Sequence, residues 1–231
     1  MIPEIKGKFS KIENQGKKTK LFTVELEDEI EFLPGQFVNL IFEANEETYM
    51  KPYSIASSRK SKKEVELTIN LVEDGRATPH LFKKEIGDEV KIKGPLGLFT
   101  IKESNKEKIA MIGTGTGVGP LRSMILDLLE TSTGKIITLV LGIRYEDEIL
   151  FQKEFEELEK LNPNFKFVPV ISKPTDMWEG RSGHVQENLD VIDSLNSQVY
   201  ICGLPKMVEE VKQKLIDNGA EESEIHFERY V

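Results

Sequence analysis

From Lys108 to the C-terminus the chain alternates two kinds of segment. KIAMIG, KIITLVLGI, FKFVPVIS and QVYICG are unbroken apolar runs, and LRSMILDLLE, FQKEFEELEKL and KMVEEVKQKLI between them are amphipathic at the helical period. A strand apolar on both sides needs both sides covered. This alternation therefore predicts a doubly wound α/β domain built on a parallel sheet, with SEIHFERYV adding a last strand. The preceding hundred residues follow another pattern. FSKIENQ, KLFTVELED, QFVNLIFEA, KEVELTINLVE and DEVKIKGPLGLFTI are strand-length, rich in Val, Ile, Phe and Thr, and parted by turn residues, as in an antiparallel β-barrel. GRATPHLFKK interrupts them as a short helix, with Thr78 expected as N-cap, Pro79 as first residue, and Leu81 and Phe82 facing the core. The change of pattern falls in KESNKEK, which divides the 231 residues into domains 1–104 and 105–231.

Charge and cysteine content narrow the function. Residues 1–104 hold 17 Lys/Arg against 18 Asp/Glu, and residues 105–231 hold 14 against 22. An acidic chain is a poor match for nucleic acid, whose phosphates need a basic surface, so KKTK and RKSKK are expected to be solvated turns. The single Cys202 rules out an internal disulfide and a Cys-ligated iron–sulfur cluster, and the three scattered histidines suggest no metal site. No apolar run reaches the roughly 18 residues a membrane helix requires, and MIPEIKGKFS has no apolar signal core. A cytoplasmic, metal-free protein is expected.

MIGTGTGVGPLRSMI follows the first strand of the second domain. Its alternating glycines let the backbone turn tightly and bring N–H groups to a phosphate at the start of the next helix. The loop is not GxGxxG, because Val118 stands where the third Gly belongs, and no Lys-Ser/Thr follows to make a Walker loop. A nucleotide-binding turn is the reading the context favours. KPYSIASS, residues 51–58, taken alone reads as a half-buried strand ending in a serine-rich turn.

In order along the chain, KPYSIASS, GRATPHL, GPLGLF, GTGTGVGP, LGIRYEDEILFQKEF and YICGLPKMV resemble the ferredoxin–NADP⁺ reductase superfamily over essentially the whole length. The resemblance implies a flavin on the barrel, NAD(P)H on the second domain, and hydride transfer where they meet. It implies that Lys51, Pro52, Tyr53 and Ser54 form the flavin motif: a cation for phosphate, a ring packed on the isoalloxazine, a hydroxyl at N5. Lys51 replaces the family's Arg, giving a point charge in place of a fork. Gly75, Arg76, Ala77 and Thr78 match the diphosphate site, which favours FAD over FMN.

In the second domain the resemblance assigns Gly115, Thr116, Gly117 and Pro120 to the NAD(P)H diphosphate. It assigns Ser172, Lys173 and Arg181, with Arg144 as a further candidate, to the adenosine ribose. A hydroxyl and two cations suit a 2′-phosphate, so NADPH is expected ahead of NADH. Cys202 and Gly203 end a strand, where open α/β sheets hold ligands, and Cys202 is placed near the nicotinamide. Tyr230 is the aromatic expected to shield the flavin and Glu228 a proton relay, with Val231 in the place where relatives end in Tyr or Trp.

The function expected is a flavin-dependent NAD(P)H oxidoreductase. Its electrons would pass to a separate redox protein, ferredoxin or flavodoxin first, an oxygenase component otherwise. Two alternatives remain: an NAD(P)H:flavin reductase using free flavin, and a non-catalytic electron-transfer subunit. EGRSGH is not a nucleophile elbow, which speaks against a hydrolase.

Overall fold

The structure, a computed structural model, describes residues 2–230. By contacts it forms two units, one holding the chain up to Ile101 together with Arg122–Asp127, the other holding the remainder.

The first unit is a six-stranded antiparallel sheet of β1 (Glu4–Asn14), β2 (Thr19–Leu26), β3 (Phe37–Ala44), β4 (Glu47–Ser54), β5 (Glu64–Asn70) and β6 (Glu89–Leu96), in the order β4-β3-β6-β1-β2-β5. The sheet curls until Ile55, just beyond β4, bridges Leu67 of β5, so the two edges meet and a barrel results. Alternate residues turn inward to a core of Phe9, Phe22, Leu40, Phe42, Leu67, Ile69 and Ile92. Asn45 and Glu46 link β3 to β4 with φ of 51° and 61°, the backbone a two-residue hairpin turn demands.

The inserted helix α1 (Thr78–Leu81) lies where expected, with Leu81 buried and Phe82 packed on the core. Its cap differs from the expectation: Ala77 is the N-cap, without a side-chain hydrogen bond. The Thr78 hydroxyl accepts from the Val72 N–H at 3.0 Å and donates to the Val72 carbonyl at 3.1 Å. That bond closes the loop ahead of the helix and takes the hydroxyl away from capping.

Arg122 is buried, and its Nη1 donates to the Ala56 carbonyl and to the Glu66 carboxylate, both at 2.7 Å. Ser123 donates to the Ser57 carbonyl at 2.7 Å. Replacing Arg122 with Met strands a half-buried carboxylate and a buried carbonyl. Unfolding free energy is expected to fall by about 3–5 kcal/mol, read from the denaturant midpoint, and an unmoved midpoint would remove the pair from the stabilising contacts.

The second unit is a parallel sheet of β7 (Lys108–Thr114), β8 (Ile136–Ile143), β9 (Phe165–Ile171), β10 (Arg181–Ser182), β11 (Ser197–Gly203) and β12 (Ile225–Arg229), ordered β10-β9-β8-β7-β11-β12. Helices α2 (Val118–Glu130), α3 (Gln152–Leu161) and α4 (Pro205–Asp217) join the strands. All seven residues of β11 are buried, as a central strand covered on both sides requires. The strand order reverses between β7 and β11, so their carboxyl ends diverge into a crevice. Tyr200 on β11 is fully buried and its hydroxyl accepts the Lys102 N–H at 2.8 Å, while Gln198 donates to the Lys102 carbonyl. Among the described residues, no helix is long and apolar enough to cross a membrane.

Candidate functional site

In the first unit the candidate residues gather on β4 and the loop before α1. Pairing with β3 sets Lys51 opposite Leu40 and Tyr53 opposite Val38, so both lie on the side of the strand whose partners are fully buried. Yet Lys51 is exposed and Tyr53 only half-buried, which leaves the inward side of this edge strand open. Burial pushes the Tyr53 phenol up to about 12. Ser54 is buried beside it, and Pro52 faces out. Tyr49, two residues before Lys51 on the same side, stacks on Phe42 at 5.3 Å and reaches the His80 ring of α1 at 5.5 Å.

Arg76 is exposed and approaches Glu47 at 3.6 Å, and the Tyr49 hydroxyl donates to the same carboxylate at 2.9 Å. Gly75 closes the preceding turn so tightly that a Cβ there would stand 2.9 Å from the Val72 carbonyl oxygen. The result is an aromatic floor beside two cations, a donor set that fits a flat ring carrying phosphates. One sequence expectation weakens here. α1 is a single turn, and Pro79 removes one of its free N–H groups, so it offers little of a helix terminus to a diphosphate. Thr78 is committed to Val72.

In the second unit the candidates line the carboxyl edge of the sheet. Beyond β7 the chain makes a single 3₁₀ turn, Gly115–Gly117, and enters α2 with Pro120 buried in its first turn. Gly115 holds φ of +52°, where glycine is free of the Cβ penalty. Gly117 lies against β11: a Cβ would stand 2.3 Å from the Cys202 carbonyl oxygen. Thr116 is half-buried in the same turn. The Thr114 Oγ1, at the same crevice beside Gly203, is buried without a hydrogen-bond partner. A backbone N–H turn at the mouth of this crevice, ahead of a 13-residue helix, fits a nucleotide diphosphate.

Along the same edge, the Ser172 N–H donates to Ile143 and the Lys173 N–H to Arg144, both at 2.9 Å, which brings Arg144, Ser172 and Lys173 together. Arg144 is exposed with its guanidinium 5.4 Å from the Tyr145 ring. Arg181, on β10 at the sheet's edge, is otherwise engaged: its guanidinium forks onto Asp190, with both N–H···O distances 2.8 Å. Nothing in the sequence pattern marks Asp190, which sits on an irregular 3₁₀ turn. Tyr49, by contrast, was reachable from its two-residue spacing to Lys51.

At the far side of the crevice, β11 and β12 pair Cys202 with Glu228, and the Tyr230 N–H donates to the Gly203 carbonyl at 2.9 Å. The Cys202 thiol is buried and raised well above 9.0, chiefly by burial and then by the Glu228 charge, while a hydrogen bond with Tyr230 acts the other way. Cys202, Gly203, Glu228 and Tyr230 thus form one cluster. Val231 lies outside the described residues.

Residues 6–101 match the oxidoreductase FAD-binding domain family and residues 111–213 the oxidoreductase NAD-binding domain family. The chain is 32% identical to the phenol hydroxylase P5 protein of Acinetobacter pittii (strain PHEA-2), covering all of this chain and 67% of that one. It is 30% identical to ferredoxin–NADP reductase B of Sorangium cellulosum (strain So ce56), covering 86% and 85% respectively. The chain belongs to the ferredoxin–NADP⁺ reductase superfamily. The Amycolatopsis cytochrome P450 reductase GcoB superposes with a TM-score of 0.91 at 26% identity, over 99% of this chain and 70% of that one. As a member of the superfamily the protein is an oxidoreductase that uses FAD and NAD(P)H.

The ferredoxin–NADP⁺ reductase fold leaves Cys202 protonated and enclosed, which gives a direct check. The native protein is expected to resist a neutral thiol reagent at pH 8 and to release one thiol equivalent on unfolding; rapid labelling of the native form would contradict the burial. Above the ordinary thiol value of 9.0 the unfolded chain loses this proton first, so the Cys202 contribution is intact below that pH and is lost as pH rises beyond it.

Proposed function

We propose that the protein is an FAD-containing reductase that accepts hydride from NAD(P)H and hands electrons to a separate redox protein. Residues 1–104 are the flavin half and 105–231 the nucleotide half. The observation that carries this reading is the crevice between β7 and β11, where the Gly115–Gly117 turn rests on Cys202 and the Cys202–Glu228–Tyr230 cluster stands beside it. FAD, when bound, takes up hydride and releases electrons one at a time.

The chain's own residues do the rest by position and charge. Lys51 and Arg76 neutralise the flavin phosphates, Tyr53 packs on the ring, and Ser54 donates its hydroxyl at the ring's reactive edge. Gly115, Thr116, Gly117 and Pro120 seat the nucleotide diphosphate; Arg144, Ser172, Lys173 and Arg181 surround the adenosine end. Cys202 and Gly203 form a dry floor for the nicotinamide, with Tyr230 as the aromatic and Glu228 as the proton relay beside them. A ferredoxin–NADP reductase and a cytochrome P450 reductase among the relatives support a protein acceptor: a ferredoxin, a flavodoxin or an oxygenase component. The single cysteine supports a cytoplasmic setting.

An absorption spectrum of the purified, desalted protein before and after anaerobic NADH or NADPH tests this. Flavin bands that bleach with a nucleotide and recover with a one-electron acceptor protein are the expected result. A colourless protein that oxidises nucleotide only with added free flavin would replace this reading with that of a flavin reductase.

A further inference from the structure

The cation that a 2′-phosphate would need is already held by an acid. Arg181 Nη1 and Nη2 each donate to one Asp190 carboxylate oxygen at 2.8 Å, and Nη1 also reaches Asn188 Oδ1 at 3.3 Å. The support is built into the fold. Asn188 is buried and donates to the Ser182 and His184 carbonyls at 3.0 Å. Asp190 is carried on the 3₁₀ turn Leu189–Val191, anchored by buried Leu189. On the arginine side, the Trp178 indole donates to the Arg181 carbonyl at 2.9 Å. Arg181 itself pairs with Val170 at the carboxyl end of β9, the end of the strands on which open α/β sheets hold their ligands and the place assigned above to the adenosine ribose.

We infer that Asp190 is the residue that sets nucleotide choice, holding Arg181 away from a 2′-phosphate and favouring NADH. This inference rests on the assignment of the adenosine end above. A dianionic 2′-phosphate arriving here meets a guanidinium whose Nη1 and Nη2 already bond Asp190 and whose charge is thereby neutralised, and a carboxylate of its own sign beside it. A free 2′-hydroxyl carries no charge and meets no such opposition. The hydrogen bond from Arg181 lowers the Asp190 carboxyl from its ordinary value, so the acid is charged throughout the neutral pH range. On this inference NADH takes the place of the NADPH expected from Ser172, Lys173 and Arg181, because the residue that neutralises one of the two cations lies nine positions away on a turn that sequence pattern does not announce.

The test uses the flavin-loaded protein. kcat/KM is measured for NADH and NADPH with ferricyanide as acceptor, for the parent, Asp190→Asn and the double variant Asp190→Asn/Arg181→Ala. Calorimetric titration with 2′,5′-ADP and with 5′-AMP gives a second readout that needs no turnover. The parent is expected to prefer NADH. Asp190→Asn should shift the NADPH/NADH ratio and the 2′,5′-ADP affinity upward by about tenfold, the scale of one charge-assisted hydrogen bond, and removing Arg181 as well should abolish the gain. A parent that prefers NADPH, or an Asp190→Asn shift that is absent or survives loss of Arg181, overturns the inference while leaving the reductase reading intact. A parent that neither oxidises either nucleotide nor binds either analogue overturns both.

Discussion

Replacing Gly117 with alanine is expected to destabilise the nucleotide unit by about 3 kcal/mol, at the upper end of what overpacking a filled site costs, and to cut kcat/KM for NAD(P)H together with it. The obstacle is backbone, not a side chain that can swing aside. A Cβ at 117 would stand 2.3 Å from the Cys202 carbonyl oxygen, 2.7 Å from its carbon and 3.0 Å from the Gly203 nitrogen. To relieve the clash, either the turn must lift from the crevice or the end of β11 must yield, and β11 is buried along its whole length. Gly115→Ala is the control. Its Cβ would meet nothing within 4 Å, but its φ of +52° imposes a left-handed cost of only about 1–2 kcal/mol. Thermal melts and anaerobic single-turnover reduction of the two variants separate the effects. Gly117→Ala as stable and as fast as the parent would mean that the turn does not rest on Cys202 as described.

Replacing Tyr53 with alanine is the second large effect expected, and it falls on the other unit. The ring packs against the barrel core from an edge strand whose inward side is otherwise open at Lys51. Losing it removes both core packing, about 3 kcal/mol at the low end for an aromatic truncated to Ala, and the flat surface proposed to hold the flavin ring. The variant is expected to emerge from desalting largely without flavin, measured as the ratio of absorbance at 450 nm to 280 nm relative to the parent. Tyr53→Phe keeps the ring and should retain flavin, since the hydroxyl, pushed up to about 12 by burial, is not asked to ionise. Parental flavin content in Tyr53→Ala would end the stacking role. Loss in Tyr53→Phe as well would move the role to the hydroxyl.

Several features were hidden from sequence reading for identifiable reasons. FSKIENQ announces β1 only from Phe9, but the strand begins at Glu4, because EIKGK pairs with β6 while only Ile5 among those five turns into the core. A strand with a single inward apolar residue has no period to detect. Thr78 looked like a helix cap because Thr before Pro is a common N-terminal signature. Which donor its hydroxyl would find depended on where Val72 lay in space. Arg122 and Ser123 read as ordinary positions of an amphipathic helix, and their bonds to Ala56, Glu66 and Ser57 span more than 50 residues of sequence.

What the sequence determined by itself was the part governed by periodicity and by short loops. Apolar runs alternating with amphipathic helices leave no stable arrangement but a covered parallel sheet, and the glycine turn after β7 lies on consecutive residues. The aromatic-hydroxyl pair Tyr53–Ser54 and the Cys202–Gly203 strand end are local for the same reason. Only the tertiary structure decided which charges neutralise one another. Coulomb attraction and hydrogen bonding act through distance in space, so Arg181 finds Asp190, Arg76 finds Glu47, and Cys202 meets Glu228 of the neighbouring strand and Tyr230 just beyond it. None of these pairings repeats along the chain, and that is why the fold was legible in the order of residues while the charge pairing at the adenosine end was not.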